Sequence, residues 1–188
     1  MLKFRHFDWL APVYEKVITG QASRKLIEVL DLQPRQWILD AGGGTGRIAT
    51  GLIGEQRKII VGDTSLKMLR QAHQKEGLYC IACDARQLPF DNHFFDRILL
   101  VDTIHHLPDQ RNAFDELWRV LKPGGLLTIE EPDIAHLSGK LIAMLEKILL
   151  MGSKFQNVEE LVKMINSYQP KKIMMYNENH SYWVTAIK

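Results

Sequence analysis

The sequence predicts an α/β protein built on a doubly wound, mostly parallel sheet, and three observations carry that prediction. Apolar runs of strand length recur along the chain at 37–40, 58–63, 78–83, 97–101 and 126–130. Segments with apolar residues at helical spacing separate them, at 46–54, 65–76 and 109–121, and this alternation is the pattern of strands joined by crossover helices. Near the C-terminus the pattern changes to two strand-like runs, 172–176 and 182–187, flanking Asn177-Glu178-Asn179-His180-Ser181. That is a hairpin, so an antiparallel pair closes the sheet at seven strands.

Each element has its own punctuation. Thr64 or Ser65 and Asp109 are placed to cap helices at their N-termini, and Pro123-Gly124-Gly125 is expected to stop the helix that begins near Asp109. Ahead of the first strand, 10–19 and 21–32 read as helices broken at Gly20 and Pro34. After the fifth strand, 138–151 is strongly apolar and 158–167 reads as a second helix. We expect one domain over 1–188: N-terminal helices over 1–34, a ligand-binding core over 35–131, a helical cap over 134–168 and the closing hairpin over 171–188. The methionines gathered in and just after the cap read as core packing.

Composition excludes some functions. With 24 basic and 22 acidic residues the net charge is +2, far from the basic bias of a dedicated nucleic-acid binder. The first residues interleave charges with aromatics, without the unbroken apolar stretch of a signal peptide, and no run is long enough to span a bilayer. The expectation is a soluble, cytoplasmic protein. Cys80 and Cys83 form a single CxxC with no second pair to complete a metal site, and the period of a strand puts them on opposite faces. No metal is expected.

The chemistry concentrates where strands end. In an open parallel sheet, ligands sit beyond the carboxyl ends of the strands, near the point where strand order reverses. Three successive strands end in acid here: Asp40, Asp63 and Asp84. Asp63 lies 23 residues after Asp40, a placement suited to a carboxylate that accepts the hydroxyl protons of a ribose. Between them Gly42-Gly43-Gly44-Thr45-Gly46 lets backbone approach a ligand with no Cβ in the way. These glycines fit either a dinucleotide or an adenosyl cofactor, since Gly44-Thr45-Gly46-Arg47-Ile48-Ala49 also satisfies GxGxxA. Electrostatics separates the two. Asp40, two residues before the first glycine, would oppose a pyrophosphate and favour an ammonium; unit charges about 4 Å apart interact by roughly 4 kcal/mol at an effective dielectric near 20.

Taken in order, 38–49, Val61-Gly62-Asp63, 83–90, 94–98, His105-His106-Leu107-Pro108-Asp109 and 119–125 resemble the successive motifs of class I S-adenosylmethionine-dependent methyltransferases. The nearest flavour is the small-molecule group that includes the ubiquinone/menaquinone-biosynthesis enzymes, and 7–14 is similar to that group's N-terminal helix. The resemblance implies a Rossmann-like fold and S-adenosylmethionine as cofactor, with S-adenosylhomocysteine as product. It implies that Gly42, Gly44 and Gly46 frame the methionine part with Asp40, that Asp63 holds the ribose, and that Thr64 and Met68 pack by the adenine. Asp84 and the Ala85 backbone would read the adenine, Val101 and Asp102 would lie beside the sulfonium, and Tyr14 would close over the cofactor. His105 and His106, just past the fourth strand, are the candidates for a proton-accepting role, His106 foremost, with Asp102, Glu130 and Glu131 on the same rim able to orient a polar acceptor. Asp96, after two phenylalanines at a strand start, reads as structural. The implied acceptor is a small molecule, with no nucleic acid, and a homodimer is allowed. An NAD-dependent oxidoreductase, carried by GxGxxA, and a methyltransferase-like ligand-binding domain without catalysis stay open as alternatives.

Overall fold

The computed structural model describes residues 22, 24–132, 157–178 and 181–188. The expected helix over 10–19, the apolar segment 138–151 and Tyr14 lie outside the described residues. Within them the strands are β1 (Trp37–Ala41), β2 (Lys58–Asp63), β3 (Leu78–Ala82), β4 (Phe95–Val101), β5 (Leu121–Pro132), β6 (Lys172–Glu178) and β7 (Ser181–Ile187). The helices are α1 (Arg24–Leu30), α2 (Arg47–Thr50), α3 (Leu66–Ala72), α4 (Gln110–Val120) and α5 (Val158–Asn166), with a short 3₁₀ turn at Ile104–His106.

All seven strands form one sheet in the order β3-β2-β1-β4-β5-β7-β6. The first five are parallel, whereas β7 runs antiparallel to both β5 and β6. The chain therefore moves outward from β1 to β3, returns to β4 beside β1, and continues the other way. The reversal opens a crevice at the carboxyl ends of β1 and β4.

The strands read as continuous apolar runs because both faces of the sheet are covered. Ile38, Ile59, Val61 and Leu99 pack under α1, α2 and α3 with Leu26, Leu30, Ala49 and Leu69. Their neighbours Leu39, Ile60, Ile98 and Leu100 pack under α4 and α5 with Phe114, Leu117, Leu161 and Ile165. The same alternation divides the cysteines: Cys80 lies against the first cluster and Cys83 against the second. Both are free thiols. The hairpin serves both faces, with Trp183 on the α1 side and Val184 on the α4 side.

The caps fall where expected. Ser65 Oγ accepts the N–H of Met68, and Asp109 accepts that of Asn112. Asp96 ties three strands at the end of the sheet away from the crevice, accepting the N–H of Trp37 (2.9 Å) and the Lys122 ammonium (2.8 Å). Arg97, nearly buried, anchors α1 by donating to the carbonyls of Leu30 (2.6 Å) and Asp31 (2.7 Å).

Two boundaries differ from the sequence expectation. The helix predicted over 46–54 is a single turn, because Gly51 follows it at once and Gly54 takes a φ of +135°, open to glycine alone. Pro123-Gly124-Gly125 follows the end of α4 at Val120, with Leu121 as its C-cap, but the chain passes directly into β5 instead of making a separate turn. The pairing of β4 with β5 jumps from Phe95–Leu121 to Arg97–Leu126, so the three residues sit in a bulge. Backbone bonds to Lys188 from Gly124 (2.8 Å) and Gly125 (3.1 Å) pin that bulge to the end of β7.

Candidate functional site

The crevice is built from loops that leave β1, β2 and β4, and the glycine loop is its floor. Gly42, Gly44 and Gly46 have φ of +72°, +54° and +72°, a region that L side chains rarely enter. Steric limits add to the torsional ones. A Cβ on Gly42 would lie 2.3 Å from Thr103 Cγ2, and one on Gly43 would lie 2.5 Å from Asp40 Cγ. The loop is sewn to β2 by Gly42 N–H (2.7 Å) and Gly43 N–H (3.3 Å) donating to the Gly62 carbonyl.

Asp63 supports the loop from the next strand. One carboxylate oxygen accepts the N–H of Gly44 (2.9 Å) and the other that of Ser65 (2.7 Å). A carboxylate offers about four acceptor sites, so Asp63 can hold the loop and also accept from a vicinal diol. Thr64 beside it is exposed, while Met68 is buried in the wall behind.

Asp40 sits deeper than the sequence suggests. It is 2% exposed, under Gly43 instead of at the open mouth of the loop, and its Oδ2 has no hydrogen-bond partner. Burial, with the charge of Asp63 added, pushes its carboxyl up to about 7 against the opposing charge of Arg47. Across the crevice, Glu130 is also pushed up to about 7, first by burial and then by Asp102 and Glu131, with Trp183 and Arg47 pulling the other way. Among the described residues, Arg47 is the cation that lowers both carboxyls.

Asp84 is engaged locally. It forms an Asx turn with the N–H of Arg86 (2.9 Å) and a fork with the Arg86 guanidinium (2.6–3.1 Å), which holds its carboxyl below the usual range. Ala85, half-buried, lies between the two. Cys83 lines the same side, its thiol pushed up to about 11 by burial and then by Asp63 and Asp84. Such a thiol stays protonated and inert near neutral pH.

Val101 and Asp102 end β4, both half-buried, and Asp102 turns the chain with a φ of +50°. The rim carboxylates divide by strand parity. Glu130 lies on the α1 side across from Trp183, whereas Glu131 points to the opposite face and is buried against the turn after β4. There it hydrogen-bonds His105. Glu131 is therefore not a rim group, and His105 belongs to the wall. His106 remains half-buried, its ring 4.0 Å from that of His105.

Sequence reasoning missed Arg47, Thr103 and Trp183. Arg47 carried a legible signal, as the first residue after the glycine loop and a cation among acids. Thr103 and Trp183 carried none, since their roles come from strands brought together by the fold.

A family model for a methyltransferase domain matches residues 39–129, the stretch that runs from the glycine loop through β5. Over that stretch the chain is similar to the methyltransferase-domain family. The chain is 34% identical over 110 residues to the ubiquinone/menaquinone biosynthesis C-methyltransferase of Coxiella burnetii, a match covering 53% of this chain and 44% of that protein. The chain thus spans less than half the length of that curated relative. In fold it is similar to an S-adenosylmethionine-dependent methyltransferase of Thermotoga maritima, with a TM-score of 0.79, 24% identity and 99% and 98% of the two chains covered. It is also similar to the phosphoethanolamine N-methyltransferase 2 of Haemonchus contortus, solved with phosphomonomethylethanolamine and S-adenosylhomocysteine. There the TM-score is 0.78 at 17% identity, covering 99% of this chain and 58% of that one.

Proposed function

We propose that the protein transfers a methyl group from S-adenosylmethionine to a small-molecule acceptor. The observation that carries this reading is a carboxyl buried beneath the glycine loop, Asp40, with its Oδ2 unpartnered, Asp63 beside it and the half-buried Glu130 at the end of β5; burial and these neighbours push both Asp40 and Glu130 up to about 7. A pyrophosphate would add negative charge beside carboxyls that already repel one another, which argues against a dinucleotide. An ammonium and a sulfonium would relieve that repulsion. The unpartnered Oδ2 of Asp40 and the open space beside Gly44, where an added Cβ would meet only Asp63 at 3.9 Å, fit such a group.

Bound S-adenosylmethionine supplies an electrophilic methyl on a positively charged sulfur. In this reading Asp63 accepts from the ribose hydroxyls while keeping Gly44 and Ser65 in place. Gly42, Gly44 and Gly46 admit the methionine part, and Asp40 offsets its ammonium. Thr64, Met68 and the Ala85 backbone border the adenine. Asp84, already committed to Arg86, reads the adenine amino group only by sharing a lone pair. Val101 and Asp102 line the space next to the sulfur. Methyl transfer is an in-line displacement, so positioning and exclusion of water supply most of the acceleration, about 7–11 kcal/mol where alignment is good. An acceptor that must lose a proton meets two groups able to take it, His106 and Glu130, and a base adds roughly 10²–10⁴-fold.

The same reading places the protein in the cytoplasm and allows a homodimer. Among the described residues no helix is long and apolar enough to cross a membrane, and no three His, Cys, Asp or Glu side chains gather as a metal site. Calorimetry with S-adenosylmethionine, S-adenosylhomocysteine and NADH tests the cofactor: binding of the two adenosyl ligands without NADH is expected. Tight NADH binding with neither of the others would overturn the reading. Label transfer from methyl-labelled cofactor to a panel of small hydroxyl, amine and activated-carbon acceptors then separates an enzyme from a binding domain.

A further inference from the structure

Three donors from consecutive residues converge on one carboxylate that lies outside the proposed cofactor contacts. Glu131, 2% exposed near the end of β5, accepts the N–H of Thr103 (3.0 Å) and of Ile104 (2.9 Å) through Oε1. Its Oε2 meets Nδ1 of the buried His105. These residues form the turn that leaves β4. Thr103 faces the glycine loop from that turn: its hydroxyl donates to the Val101 carbonyl (2.8 Å) and lies 3.3 Å from the Gly42 carbonyl. Its methyl group fills the space that a Cβ on Gly42 would need.

Gly42 is thus held from both sides, by the Gly62 carbonyl of β2 and by Thr103. We propose that Glu131 is a positioning residue for the cofactor loop, acting through the Thr103 turn. The proposal rests on reading that loop as the S-adenosylmethionine site. Without the carboxylate, two buried N–H groups lose their acceptor, and the turn relieves that cost by opening toward water. Thr103 then withdraws from Gly42, whose positive φ has no side chain of its own to maintain it. A buried carboxylate that held β5 to the turn and did nothing else would change stability and leave the loop as it was.

The test compares wild type, Glu131→Ala, Glu131→Gln, Thr103→Ala and the Glu131→Ala/Thr103→Ala double variant as full-length proteins. S-adenosylhomocysteine affinity is measured by calorimetry and thermal stability alongside it. Glu131→Ala and Thr103→Ala are each expected to weaken affinity about tenfold, and the double variant no more than the worse single one, because both act through one contact. Glu131→Gln keeps an oxygen for the two N–H groups and is expected to stay within about threefold of wild type. A Glu131→Ala protein with lowered melting temperature and unchanged affinity overturns the proposal, as do additive losses in the double variant. Should Glu131→Ala not fold, Glu131→Gln and Thr103→Ala decide by amide exchange at Gly42 and Gly43. Faster exchange in Thr103→Ala with near-wild-type exchange in Glu131→Gln supports the link, and unchanged exchange in Thr103→Ala overturns it. If wild type binds no adenosyl ligand, the cofactor reading fails by itself, and the same exchange measurement still settles the link between the turn and the loop.

Discussion

At the scale of single residues, Asp40 holds the sharpest tension, since burial works against the charge that the proposed ligand requires. Its carboxyl and that of Glu130 are raised to about 7 in the fold, above their unfolded values near 4. The folded chain therefore binds more protons than the unfolded one between those limits, and stability falls as pH climbs from about 4 to 7. Asp40→Asn should flatten part of that slope and be more stable than wild type at pH 8 by on the order of 2 kcal/mol. The same variant should bind S-adenosylhomocysteine about tenfold more weakly. Parallel melting curves at pH 5 and pH 8 check the first expectation; an unchanged slope rejects it. Asp63→Ala should lose cofactor affinity by at least a hundredfold, because it removes the diol acceptor together with two loop contacts. Cys83→Ala, which deletes only a protonated thiol on the wall, should bind within a few-fold of wild type. Calorimetry on the pair checks both. Equal affinity in wild type and Asp63→Ala rejects the ribose assignment. Asp40, Asp63 and Asp84 were legible in sequence because each ends an apolar run. Their partners were not, and so the depth of Asp40 and the Asx turn at Asp84 emerged only when the loops were in place.

Among the elements, the glycine loop and the bulge at the start of β5 show that the same residue type answers different demands. Gly42 combines a φ of +72° with a neighbour 2.3 Å from any added Cβ, whereas Gly124 has a φ of +79° and open space around it. Gly42→Ala should abolish cofactor binding and cost several kcal/mol of stability, through left-handed strain plus overpacking against Thr103. Gly124→Ala pays only the torsional cost, about 1 kcal/mol, and should bind normally. Chemical denaturation of the two variants measures the difference, and similar losses for both would reject the account. The order of the elements was readable from hydrophobic periodicity and caps, down to Ser65 and Asp109. The bulge was not. Pro-Gly-Gly signals a break in regular structure, but only the pairing with Phe95 and the bonds to Lys188 decide that the break falls inside a strand.

Across the whole molecule, the C-terminal hairpin joins the two faces of the sheet. Trp183, 2% exposed and among the largest buried side chains, fills the α1 side across from Glu130. Trp183→Ala should cost about 3–5 kcal/mol. A denaturant midpoint within error of wild type would show that the hairpin merely lies on the sheet. The sequence by itself determined the fold class, the succession of strands along the chain, the glycine loop and the acidic strand ends, since all of these follow from local periodicity and residue chemistry. Tertiary structure alone decided which carboxyls stay on the rim and which are buried: adjacent glutamates at 130 and 131 part to opposite faces, and the partners that meet each come from elements distant in the chain. Burial and charge at a site are sums over neighbours from several strands, and no local stretch of sequence contains that sum.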